Sequence, residues 1–325
     1  MNQRLGTLAI ALAAAVAVLG FYRPPRSLLV APFGGDSAVA GVAPATTAFG
    51  RSGAVHLQLA RPGDPVYYPL AMPADSLGLS YEWVPLDSQT PTGTAARAND
   101  SAFVAPAAPG LYQLGIARNG ERRALDAITV AVMIPFEDKH GATLDGYRLG
   151  IFMAEKKEGH ERPLGFVKIS ADVADLPITK HLRLGDFLSR QERASWPRYA
   201  AVSARVLDKV ELVVAEVLRM RGDTTRPRIT MTVHSGFRAP VFNRTVRRAA
   251  KDSRHQYGDA MDVAIDADGD GKLTRKDVKL VAQAAESVEL AYPDLVGGVG
   301  VYTSRRYPHP YVHIDARGKR ARWRS

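Results

Sequence analysis

The chain is 325 residues long, 46% apolar, and carries a net charge of +10; that length allows more than one domain after any targeting segment. It contains no cysteine, which excludes disulfides, a thiolate-ligated zinc site and a cysteine-linked lipid anchor. No nucleic-acid-binding module accompanies the basic balance, so the charge points away from nucleic acid and toward an anionic surface or polymer.

The first predicted element is Leu5–Tyr22, apolar and uncharged, preceded by Arg4 and followed by Arg23 and Arg26. At about 18 residues it is short for a membrane span and long for the core of a signal peptide. Phe21, Tyr22 and the arginines have the character of an interfacial anchor, and no clear small-x-small cleavage site lies just beyond them. An uncleaved signal-anchor over residues 1–26 is therefore the first expectation, and a cleaved export signal the second. Either puts the remaining chain in the cell envelope, periplasmic or extracytoplasmic, and the anchor would hold it to the inner membrane. Residues 27–50, rich in Gly, Ala and Pro, read as a linker.

Residues 51–135 change to short alternating runs separated by turn residues, among them Val55–Leu59, Ser80–Val84, Gly110–Ile116 and Ala127–Val132. That pattern predicts a small β-sandwich, immunoglobulin-like, with Tyr112 placed as a corner tyrosine. Residues 136–175 hold several Gly and Pro and read as an extended connector with short strands. A long helix is predicted from about Ala200 to Met220, where Val206, Val210, Val213, Val214 and Val217 recur with helical spacing. A strand over Arg228–Val233 follows.

Three potential metal donors then appear. Ala260–Ile265 alternates as a strand and carries Asp262; His255 precedes it across a turn containing Gly258; Tyr311–Ile314 is a second short strand carrying His313. Two strands and one loop can bring these side chains to one ion. Two imidazoles and a carboxylate, with a fourth position left to water, are the donor set of a catalytic zinc site. Each histidine then needs a partner for its other ring nitrogen, and by position Ser253 and Asp315 are candidates.

Directly after the Asp262 strand, Asp266–Asp277 (DADGDGKLTRKD) has the spacing of an EF-hand loop, with Asp at positions 1, 3, 5 and 12 and Gly at 6. The calcium ligands would be Asp266, Asp268, Asp270, Lys272 through its backbone carbonyl, and Asp277. A strand precedes the loop where an EF-hand has a helix, and a helix over about Arg275–Leu290 follows. A plain acidic turn is the competing interpretation. The tail from Arg317 to Arg324 gathers five cations, either a binding patch or a solvated end.

The string Ser253–Asp262 (SRHQYGDAMD) resembles the Ser-x-His-x-x-Gly-x-Ala-x-Asp motif of the zinc D-alanyl-D-alanine carboxypeptidases and endopeptidases of bacterial cell walls. Ser235–Pro240 (SGFRAP), Gly297–Tyr302 (GGVGVY), Val312–Gly318 (VHIDARG) and Ala321–Trp323 are similar to that family's other segments, in the same order. Ile178–Phe187 resembles its opening segment. The likeness covers roughly the last 150 residues. It implies an α+β chain whose residues 176–325 form a hedgehog-type peptidase domain, with a small antiparallel sheet and helices. It implies Zn2+ on His255, Asp262 and His313, peptidoglycan peptides as partners, and Arg238 as the residue that holds a substrate carbonyl or carboxylate. Many relatives carry a glutamate base three residues before the last zinc histidine. Here that position is Pro310, which leaves Asp315 or His309 as the candidate base, Asp315 being preferred. The function implied is hydrolysis of peptide stems or cross-links, of D,D-carboxypeptidase or D,D-endopeptidase type. The alternative is a non-catalytic peptidoglycan-binding protein on a peptidase-like fold.

Overall fold

Alternation decides the first half of the chain. In the strand Gly110–Arg118, Leu111 points into one apolar cluster and Tyr112 into another; in Glu121–Val132, Ala131 joins the first while Val130 and Val132 join the second. A strand presents successive side chains to opposite faces, so this sheet is covered on both sides. Its order is Leu57–Ala60, Glu121–Val132, Gly110–Arg118, Ser80–Pro85; the first pair is parallel and the others antiparallel. One face meets a local core around Tyr68, Trp83 and Phe103, closed by the pairs Pro65–Tyr67 with Ala102–Val104 and Ala43–Pro44 with Leu70–Ala71. The Tyr112 hydroxyl donates to the Ala108 carbonyl at 2.8 Å. The other face meets the larger core formed with the rest of the chain.

These relations come from a computed structural model that describes residues 41–71, 78–87, 92–99, 101–188, 196–222, 229–304 and 309–325. The expected anchor Leu5–Tyr22 and linker residues 27–40 lie outside them. Among the described residues no helix is long and apolar enough to cross a membrane.

The chain is mixed α/β, with several small sheets and, among the described residues, three helices, compatible with the α+β class. The predicted connector contains short pieces: a two-residue hairpin, Thr143–Leu144 with Tyr147–Arg148, and the strand Gly165–Ile169. The long helix, α1, spans Ala204–Arg221 and ends at Gly222 in the left-handed region, φ 66°. It begins later than the sequence predicts because Arg198–Ala200 pairs as a strand with Val167–Ile169. Its valine stripe is buried as expected, but so are Asp208, Lys209 and Glu211, each held by a polar partner. A four-residue helix, α2 (Pro240–Asn243), and α3 (Arg275–Ala291) complete the set.

A five-stranded sheet positions the candidate site. Its order is Met231–Ser235, Ala260–Ile265, Tyr311–Asp315, Gly298–Tyr302, Ala321–Arg324, antiparallel except for the last pair. Met261, Val263, Val312 and Ile314 share the larger core with the valines of α1 and α3, and burying each such side chain stabilises the fold by about 1.5–3 kcal/mol. The alternate residues, Asp262, His313 and Asp315, belong to the opposite face.

Candidate metal centre

Register does most of the assembly. Ser235, Asp262, His313, Gly300 and Trp323 are successive partners across all five strands, a single transverse row. Directly opposed residues of antiparallel strands share a face with Cβ atoms about 4.5–5.5 Å apart, so Asp262 and His313 are neighbours by construction. His255 arrives from the 3-10 turn Arg254–Tyr257. That turn ends at Gly258, φ 68°, whose carbonyl accepts from Ser203 N at 3.0 Å, just ahead of α1. A Cβ on Gly258 would lie 2.2 Å from the Ala201 carbonyl oxygen, so only glycine lets the turn pack there.

The three donors form a tight triangle. His255 Nε2 is 3.2 Å from Asp262 Oδ1 and 3.1 Å from His313 Nδ1, and His313 Nδ1 is 2.9 Å from Asp262 Oδ1. Ligands at about 2.0–2.1 Å from a tetrahedral ion would stand about 3.3 Å apart, close to these edges. All three residues are buried, and the group could hold a metal ion.

The outward nitrogens explain why the inward ones carry lone pairs. His255 Nδ1 lies 2.6 Å from the Gly236 carbonyl, to which it can only donate. His313 Nε2 lies 3.0 Å from Asp315 Oδ2, which makes it the donor to that carboxylate. Each ring is thus set in the tautomer that turns its free nitrogen toward the triangle. Burial pulls the His255 imidazole below its ordinary value, against the opposing pull of Asp262. Burial acts the same way on His313, but the carboxylates of Asp262 and Asp315 at its two nitrogens raise it overall. Asp262 is held well below the usual carboxylate range although burial pushes it upward, because His255, His313 and Arg238 surround it.

Arg238 stands beside the triangle: its guanidinium pairs with Asp262 Oδ2 and its Nε donates to Ser235 Oγ at 2.7 Å. Asp315 is fully buried behind His313. Besides His313 it accepts from Gly298 N at 2.7 Å and Arg317 Nε at 2.9 Å, and its carboxyl is depressed in spite of burial by His313 and Arg317. The buried ammonium of Lys209 donates to the Asp315 backbone carbonyl at 2.6 Å and to Glu289 at 2.7 Å, tying α1 and α3 to the end of the His313 strand. Ser253 lines the cleft over the site, while the Gly236 carbonyl is the partner of His255. His309 is exposed and is not part of the cleft wall; Pro308 beside it lies outside the described residues.

That cleft has a volume of about 520 Å³. Tyr302 and Tyr311 stack at 4.5 Å on one wall, and the Trp323 indole sits 5.0 Å from the His313 ring. The indole reaches His313 across Gly300, where a Cβ would be 2.3 Å from the ring. Sequence reasoning missed this use of Gly300, and it missed Lys209 and Gly236. Only the apolar-stripe position of a lysine on α1 carried any signal.

The acidic loop forms a second group. Carboxylate oxygens of Asp266, Asp268 and Asp270 gather within 4.8 Å of one another and could hold an ion. Asp277 is engaged elsewhere. One oxygen accepts from Ala267 N and Asp268 N, the other from Thr274 N and Oγ1, which caps α3. Lys272 donates its amide to Asp270 Oδ1 at 2.8 Å.

No protein-family model, curated protein or solved structure matches this chain.

Proposed function

We propose that the chain is a zinc peptidase that hydrolyses peptidoglycan peptide stems or cross-links, of D,D-carboxypeptidase or D,D-endopeptidase type. The observation that carries this reading is the triangle of inward-facing donors at 2.9–3.2 Å, each imidazole fixed by an outer partner. Two nitrogens and one oxygen without cysteine suit a zinc ion that keeps a position open. A zinc ion bound there would supply Lewis-acid polarisation of a peptide carbonyl.

The chain's own residues divide the remaining work. Arg238 balances the charge of Asp262 and offers N–H donors at the edge of the triangle, where a carbonyl oxygen gains charge during hydrolysis. Trp323 and the Tyr302–Tyr311 stack wall the cleft and limit water around the reacting group. Asp315 is enclosed, so in this reading it orients His313; His309 stands exposed off the cleft wall, so neither is assigned as the base. In the same reading calcium occupies the loop, bound by Asp266, Asp268, Asp270 and the Lys272 carbonyl. Asp277 supports that loop through its amides.

The finer architecture belongs to the same proposal: an immunoglobulin-like sandwich over 51–135, a connector over 136–175 and a hedgehog-type peptidase domain over 176–325. The Tyr112 corner and the five-stranded sheet support it. Placement outside the cytoplasm on an N-terminal membrane anchor is part of the same proposal, supported by the apolar Leu5–Tyr22 segment.

Metal analysis of the purified protein, followed by digestion of muropeptides, tests the function. One zinc per chain with cleaved stems or cross-links is the expected result. Stoichiometric zinc without cleavage would favour the non-catalytic wall-binding alternative, and absence of zinc would overturn the proposal.

A further inference from the structure

Five arginines border the cleft. Three are matched to carboxylates: Arg238 to Asp262, Arg254 to Asp259 and Glu161, Arg317 to Asp315. Arg247 and Arg248 differ. Both are exposed on the cleft wall, and among the described residues neither has a carboxylate partner.

The segment that carries them is held in place. From Arg244 to Lys251 it contains Arg244, Arg247, Arg248 and Lys251 and no acidic residue. Two buried amides brace it at its end: Asn243 Nδ2 donates to the Ala250 carbonyl at 2.9 Å, and Gln256 Nε2 to the Lys251 carbonyl at 2.9 Å. Asn243 and Gln256 are 4% and 3% exposed. Arg248 itself has φ 63°, a left-handed conformation that is unfavourable for a residue with a side chain. The surrounding braces hold the backbone there, with Arg248 on the cleft wall.

Two unpaired guanidiniums on one wall attract an oxyanion, and the planar fork of arginine suits a carboxylate in particular. The two carboxylates lining the cleft do not oppose this: Arg238 balances Asp262, and Asp252 is held by His160 and the Tyr257 hydroxyl. We infer that Arg247 and Arg248 form a carboxylate subsite, which takes a free carboxylate of a peptide lying across the metal centre and so selects substrates that carry one. The inference deepens the peptidase proposal and rests on it for the identity of the ligand.

The test is equilibrium binding of three synthetic stem peptides to the full-length protein. One has free terminal and side-chain carboxylates, one is amidated at its terminus, and one is amidated on its side chains. The free acid is expected to bind at least tenfold tighter than one of the amides, and the amide that loses affinity identifies which carboxylate is held. Arg247→Gln with Arg248→Gln should erase that preference while zinc content and melting temperature stay unchanged. Equal binding of all three peptides, no binding of any, or a preference that survives in the double variant would each overturn the subsite. Hydrolysis is followed in parallel: cleavage without preference removes the subsite and leaves the peptidase, whereas preference without cleavage removes the peptidase and leaves the subsite.

Discussion

Two metal-competent groups flank one short strand, Ala260–Ile265. Asp262 contributes to the first from within it, and Asp266, the residue after it, opens the second. They are organised in opposite ways. In the first, donors from distant parts of the chain are buried and each is bonded on its outer side to a fixed group: Gly236, Asp315 or Arg238. In the second, the donors are local and partly satisfied by their own loop. Asp266 accepts from Gly269 N and Gly271 N, both at 2.9 Å, and Asp268 pairs with Lys276 at 2.9 Å. A site held from outside keeps its donors aimed at a common point with nothing bound. A site satisfied from within must exchange some of those bonds to take an ion, so its affinity is the smaller expectation.

The comparison breaks most visibly at the histidines. His255→Ala or His313→Ala should abolish both zinc binding and hydrolysis, since two remaining ligands hold the ion weakly; full zinc retention by inductively coupled plasma analysis in either variant would remove the triad. Arg238→Ala comes next, with an expected loss in turnover of about 100-fold at unchanged zinc content. Should zinc fall in parallel, Arg238 serves only to hold Asp262.

Asp315→Asn sharpens the idea of outside support. It should weaken zinc about 10- to 100-fold, with activity returning on excess zinc; a turnover loss at full zinc occupancy would restore Asp315 as the base. The same variant should alter the pH dependence of the metal-free fold. His313 is raised above its ordinary value, so the stability its proton contributes is complete below about pH 6.5 and is lost as pH rises through the raised folded value. Removing the Asp315 charge should narrow that window, read by chemical denaturation across pH.

The smallest effect belongs to the loop. Added calcium should raise the melting temperature by about 2–4 °C per kcal/mol of linkage, and Asp268→Ala with Asp270→Ala should erase the response. An identical calcium response in wild type and double variant would reduce the loop to a turn.

Much of the central machinery was legible because it obeys short-range rules. The Asp262 strand appears with its expected bounds, Ala260–Ile265, and the His313 strand extends the expected one by a single residue to Asp315. The α3 helix starts at Arg275 as predicted. The support for the site was not legible, because it depends on tertiary proximity. The Gly236 carbonyl that orients His255 belongs to backbone, which leaves no trace in residue identity. Lys209, 106 positions from Asp315, falls at an apolar-stripe position, but Asp208 and Glu211 on the same helix also turn inward, so that signal alone could not name its partner. Asp277 fits the twelfth position of a calcium loop by spacing, yet the same aspartate also satisfies a capping pattern with Thr274, and spacing cannot choose between the two.

The transverse row from Ser235 to Trp323 also limits how this chain can vary. Because side chains alternate along a strand, adding or deleting one residue within Ala260–Ile265 or Tyr311–Asp315 would turn its donor to the helix-covered side. Length changes confined to the turns beyond those strands leave the row in step. Insertions and deletions in viable descendants of this sequence should therefore fall in the turns and spare the strands, whatever the residues that fill them.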